Sequence, residues 1–236
     1  MPDDLPAPEK EEFLHQRTDR RAPWVLRPWE ATVVIFLFAF IIALYGTVIR
    51  GRERHGWARQ VQASNNCRQI IISLKSYAGD HGGKYPDGAT ANDVFRQLIK
   101  EGLLEDERIF SAPASPYLGD NNVGTAPDYA EALEPGENHW AMTRGLKDDS
   151  PGDCPLVFEN PAQATWPPRW DGEHAGQAYP GRAWKGDKII VGNNDGSVTV
   201  GKLIRDGNPL LTLQPIMDGK NLFELAGPHE VLDVAR

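Results

Sequence analysis

The chain has 236 residues, room for one domain of ordinary size plus an anchor and a tail. Its net charge of −8 argues against nucleic acid as a partner, because phosphate binding needs a basic surface. The hydrophobic fraction is 40%, much of it in one segment, and 23 glycines with 19 prolines point to a loop-rich remainder with short strands.

Residues 1–28 mix proline with charges of both signs and offer little to bury, which predicts a disordered N-terminal tail. Phe13, Leu14 and Trp24 are its candidate contacts with a partner. From Ala31 to Ile49 the chain carries no charge. At roughly 1.5 Å per residue that run spans about 28 Å, close to the hydrocarbon thickness of a bilayer. A transmembrane helix is therefore expected over 29–50, with Trp29 at the interface. Arg27 precedes it, and Arg50, Arg52 and Arg54 follow. The basic residues on the two sides are nearly balanced, so charge alone leaves the orientation open.

No proline follows until Pro86. Trp57, Val61, Ser64, Cys67, Ile71, Leu74 and Ala78 recur at three- and four-residue steps, the spacing of one helical face. The anchor is expected to continue as an amphipathic helix to about Tyr77 and to stop at the glycines of 79–83. The remainder, 51–236, is read as one soluble domain. A second helix starts at Thr90–Asp93, with Val94, Phe95, Leu98 and Ile99 as its apolar face and Gly102 as its stop. Residues 111–153 read mostly as loop. Leu156–Phe158, Lys188–Asn193, Ser197–Val200 and Leu210–Leu213 read as strands, with Asn194-Asp195-Gly196 as a hairpin turn. A short helix is expected within Asp218–Leu225. The expected fold is α+β: a long N-terminal helix, half transmembrane and half amphipathic, packed on a small antiparallel sheet.

Chemistry-bearing residues are sparse. Asp171, Glu173 and His174 stand together, but in a loop rich in glycine and proline, where such groups are usually solvated. Trp166, Trp170, Tyr179 and Trp184 are either a binding surface or loop residues that plug the core. Cys67 and Cys154 have no metal-ligand spacing. They either pair in an oxidising compartment or stay as separate buried thiols. No GxGxxG, P-loop, serine elbow or HExxH occurs, so the chain is not expected to be an enzyme and no cofactor is assigned.

The run Asn65-Asn66-Cys67-Arg68-Gln69-Ile70, then Leu74, Tyr77, Asp80 and Gly82-Gly83-Lys84-Tyr85-Pro86, resembles the post-anchor segment of type IV pilin-like proteins. It is most similar to the type II secretion pseudopilin-like group of planctomycete and verrucomicrobia type. Leu98–Leu104, Ile109-Phe110, Pro113, His174 and Ile189–Val198 extend the likeness over roughly residues 30–200. The resemblance implies a structural component of a bacterial envelope, with a cytoplasmic N-terminus and an extracytoplasmic domain in the inner membrane. Its partners would be membrane lipid and other pilin-like subunits or secretion machinery. It gives Glu30 an assembly role and puts Cys67 and Cys154 where a disulfide can form. It also makes calcium the one ion to consider, for which Asp120-Asn121-Asn122 and Asn193-Asn194-Asp195 supply oxygen ligands. The second of these is better explained as a turn. No glycine precedes the cleavage point that Glu30 would imply, between Val25 and Leu26. That departure favours the alternative, a membrane-tethered binding module that never polymerises.

Overall fold

The computed structural model describes residues 27–113, 115–174, 179–181 and 187–236, and of 45–55 the backbone alone. The expected tail therefore lies almost wholly outside the described residues, as does Trp184. The chain divides into two compact units, Met1–Arg52 and Glu53–Arg236. The first helix, α1 (Pro28–Asp80), contributes to both.

In the second unit the elements after α1 are α2 (Ala91–Lys100), a 3-10 turn (Glu107–Phe110), β1 (Trp140–Arg144), β2 (Pro155–Glu159), β3 (Lys188–Asn193), β4 (Val198–Ile204), β5 (Thr212–Leu213), α3 (Leu222–Ala226) and β6 (Glu230–Leu232). The strands form one six-stranded sheet in the order β5-β4-β3-β2-β1-β6, antiparallel at every pairing.

Apolar side chains cover both faces of this sheet. On one face Ala63, Cys67, Ile70, Ile71, Leu74 and Ala78 of α1 join Val94, Phe95 and Leu98 of α2 over Trp140, Met142, Val157 and Ile190. Within the stripe read from the sequence, Cys67, Ile71, Leu74 and Ala78 are buried, while Trp57 and Val61 are exposed. The closest approach is at Gly192 of β3, where an added Cβ would stand 2.3 Å from Ile71 Cδ1 and 2.7 Å from Cys67 Sγ. Glycine is thus what lets the helix lie flat on the strand. On the other face Phe158, Ile189, Val191 and Leu203 are capped by Trp170, Leu211 and Phe223 from loop segments and the short α3.

Local chemistry sets the boundaries. The end of α1 is closed by Gly82 and Gly83 at φ +63° and +78°, with the Gly83 N–H bonded to the Ala78 carbonyl at 2.8 Å. A reciprocal capping box starts α2: Thr90 accepts from the Asp93 N–H, and the Asp93 carboxylate accepts from the Thr90 N–H. Thr90→Ala is expected to lower stability by about 1 kcal/mol. Chemical denaturation followed by circular dichroism checks this.

Several expectations are corrected here. In place of the expected pilin-like fold, a half-transmembrane helix on a small sheet, the body is a six-stranded antiparallel sheet with the Ala63–Ala78 part of α1, the short α2 and α3, and loops on its faces. Among the described residues no helix is long and apolar enough to cross a membrane. The transmembrane helix over 29–50 falls with this, and so do the inner-membrane location and the pilin and secretion terms attached to it. β1 lies within 111–153, which the sequence presents as loop, and β6 is a further strand that the sequence reading lacks.

Candidate functional site

The first unit's described surface is unusual for a chain in water. Pro28 opens the helix at a position that needs no N–H. Glu30 reaches back to accept the Arg27 N–H at 2.9 Å and sits in the first turn, where a carboxylate suits the helix dipole. The Thr32 hydroxyl donates to the Pro28 carbonyl at 2.9 Å. Glu30, named above for assembly, therefore has a local capping task. Beyond it the large apolar side chains between Trp29 and Leu44 are exposed from 48% (Val33) to 72% (Phe36). The consecutive run Val33–Phe38 points in every direction around the axis. Thr32, Val33, Phe36, Leu37 and Phe40 line a shallow apolar groove along one side.

The polar groups singled out in the sequence fall into separate places in the second unit. Asp171 is buried. Its carboxylate accepts the Glu173 N–H at 2.7 Å and pairs with Nδ1 of His174, whose ring stacks on Tyr179 at 3.7 Å between centroids. The carboxylate thus orients the imidazole through Nδ1. These residues line a cavity of about 300 Å³ with Ala162, Pro209 and Leu210. Trp170 belongs to the core and the half-buried Trp166 packs against it: the Trp170 indole donates to the Glu159 carbonyl at 3.1 Å, that of Trp166 to the Phe223 carbonyl at 3.0 Å.

The structure brings Asp120 beside Glu107 and Glu137, which the sequence reading does not connect with it; one ligand oxygen from each lies within 4.8 Å of the others. Glu107 is buried, and its two oxygens accept the Leu133 N–H and the Asn121 N–H. Burial pushes the Glu137 carboxyl above its ordinary range, and the charges of Glu107 and Asp120 add to that. The backbone bonds make Glu107 a fastener of the 119–133 loop. At the other calcium candidate, the Asn194 Oδ1 accepts the Tyr85 hydroxyl at 2.7 Å, and the Asp195 Oδ1 accepts the Ser197 N–H at 2.8 Å. Those oxygens hold the β3–β4 turn.

Cys67 and Cys154 are both free and buried. The Cys67 thiol donates weakly to the Val157 carbonyl at 3.7 Å, and Cys154 Sγ lies 3.6 Å from His229 Nε2. Burial pushes the Cys67 thiol far up, and the nearby Glu159 adds to it. Two other described histidines, His81 and His139, have structural partners. His81 stacks on Tyr77, and His139 is buried against Ser115 Oγ at 2.6 Å, with burial alone bringing it down to about 3.

One group stands out that the sequence does not reveal. Glu159 ends β2, a place where a carboxylate normally meets water. Here it is fully buried, and among the described residues neither oxygen has a hydrogen-bond partner of ordinary geometry. Its cross-strand neighbour on the same face is Trp140, whose buried Nε1 likewise has no partner among the described residues. Burial pushes the Glu159 carboxyl well above the usual range, and the Ile190 N–H offsets this only in part. Compared with known proteins, the chain matches no family model, no curated protein and no solved structure.

Proposed function

We propose that the chain is a structural, non-enzymatic assembly component, joined to further copies through the apolar surface of α1 between Trp29 and Leu44. The observation that supports this is the exposure of those side chains all round the helix. A helix that is apolar on every side is normally buried. Contiguous exposed apolar surface beyond a few hundred Å² normally marks an interaction site. Packing against equally apolar helices removes that surface from water at roughly 25 cal/mol per Å². Glu30 caps the same segment at its start, so its carboxylate has a local partner.

Sedimentation velocity of the full chain in aqueous buffer tests the reading. The chain is expected as a multi-copy particle, and Phe36→Glu with Phe40→Glu is expected to shift it to the monomer with an unchanged near-ultraviolet circular dichroism spectrum. Each replaced phenylalanine withdraws about 1.5–3 kcal/mol of burial. The pair should therefore weaken association by at least about a hundredfold. A wild-type chain that sediments as a monomer, or a double variant that assembles like wild type, removes the proposal.

A further inference from the structure

The Gly82–Pro86 segment, prominent in the sequence, has a task beyond ending α1. Lys84 and Lys147 are partners in an isolated antiparallel bridge, which puts their side chains next to each other on one face. Like charges opposite one another are destabilising unless something lies between them. Both side chains are exposed, and among the described residues neither makes an ion pair. They stand at the rim of a cavity of about 360 Å³.

The other charges of this cavity are already committed. Arg144 donates to both carboxylate oxygens of Asp87, at 2.9 and 3.0 Å, and to Glu230 at 3.1 Å. The two acids of the lining thus face a third cation, and among the described residues Lys84 and Lys147 are left without an ion pair. The Asp148 carboxylate lies over Gly83, beside both lysines in the chain. The floor is apolar and firm: Tyr85, Met142, Leu146 and Leu232 are all buried. Asn194 holds the wall by accepting the Tyr85 hydroxyl and donating to the carbonyls of Lys147 and Ser150, at 3.0 and 2.8 Å.

A concave apolar floor with two neighbouring, unpaired lysines among its lining residues suits a small amphipathic anion. We infer that this cavity binds a small organic carboxylate, its anionic end between Lys84 and Lys147 and its apolar stem against Met142, Leu146 and Leu232. The two lysines act as point charges, so the carboxylate need not present one fixed geometry. The site belongs to the sheet-bearing unit and does not depend on the assembly reading.

Isothermal titration calorimetry of the full chain tests it with sodium hexanoate, hexan-1-ol and sodium acetate as probes. Hexanoate is expected to bind saturably at one site. Hexanol, which lacks the charge, and acetate, which lacks the stem, are each expected to bind at least about tenfold more weakly, a difference of about 1.4 kcal/mol. The variant Lys84→Gln with Lys147→Gln is expected to lose at least as much while its circular dichroism is unchanged. In methyl-labelled protein, hexanoate is expected to shift the signals of Met142, Leu146 and Leu232. No saturable hexanoate binding below about 10 mM, equal binding of hexanol, an unaffected double variant, or shifts confined to other methyl groups would each overturn the inference.

Discussion

Replacing Gly192 by valine is expected to lift α1 from the sheet and to lower stability by about 1–3 kcal/mol, the usual range for overpacking a close-packed core. A Cβ at this position would meet Ile71 Cδ1 at 2.3 Å and Cys67 Sγ at 2.7 Å. The Ile71 methyl is the far end of a flexible side chain and can turn aside. Cys67 is short and already holds the Val157 carbonyl, so the backbone of α1 has to move. Two measurements check this. The denaturant midpoint should fall, and the Cys67 thiol, fully buried in the native chain, should become reactive toward a soluble disulfide reagent under native conditions. Gly192→Val combined with Cys67→Ala should cost less than the sum of the two single changes, because the two share one space and are not additive. A valine variant as stable as wild type, with Cys67 still protected, would show that the helix does not rest on this glycine.

Glu159→Met is expected to act in the opposite direction and to stabilise the fold at neutral pH. The wild-type carboxyl is buried without an ordinary partner among the described residues. A buried unsatisfied group costs about 1–3 kcal/mol, more when charged. Methionine has a similar length, belongs in an apolar setting and leaves nothing to desolvate. The pH dependence has a definite sign. Burial raises the Glu159 carboxyl in the folded state above its unfolded value. The folded state therefore holds this proton more tightly than the unfolded chain. Its contribution is at its best below the ordinary glutamate range and is lost as the pH rises through the folded value. Asp87, Asp106 and Asp195 work the other way. Arg144 holds Asp87 low, Arg108 holds Asp106 low, and the Ser197 hydroxyl and N–H hold Asp195 low, so their contributions are lost on acidification. The whole-protein profile sums both kinds. The difference between wild type and Glu159→Met isolates one of them: the gain from the substitution should grow from mildly acidic to neutral pH. A gain independent of pH, or a loss, would mean that Glu159 is solvated or paired in solution.

The two substitutions lie close together on one face of the sheet. Gly192 sets how near α1 comes, and Glu159, directly across from Ile190 in the register, lies under the same helix. Cys67 senses both, meeting Gly192 sterically and Glu159 through its charge.

How much of this was legible depends on the range of the interaction. The α2 helix was readable because its capping box, its apolar face and its stop at Gly102 all lie within a dozen neighbouring residues. β3 and its turn were readable for the same reason: an apolar run followed by Asn-Asp-Gly dictates a hairpin locally. β1 was not, because Trp140-Ala141-Met142-Thr143-Arg144 is buried on both faces and shows no alternation. Thr143 survives inside only because its hydroxyl donates to the Pro155 carbonyl at 2.6 Å, a partner supplied by another strand. The apolar run of α1 was plain in the sequence, yet its period could not say what covers it.

The candidate sites divide along the same line. The grouping of Asp171 with His174, and Lys84 within Gly82–Pro86, could be seen as residues. That Lys147 stands opposite Lys84, that Arg144 occupies both Asp87 and Glu230, and that Asp120 meets Glu107 and Glu137 are consequences of chain segments meeting across the sheet. Composition left Trp166 and Trp170 between surface and core; Trp170 became core, with Trp166 packed against it, once the second face of the sheet needed a cover. By itself the sequence determined caps, turns and the faces of single helices, because backbone preferences and side-chain spacing act over a few residues. Only the tertiary structure decided which charges are paired, buried or left over, because charge pairing and desolvation depend on neighbours that are distant along the chain.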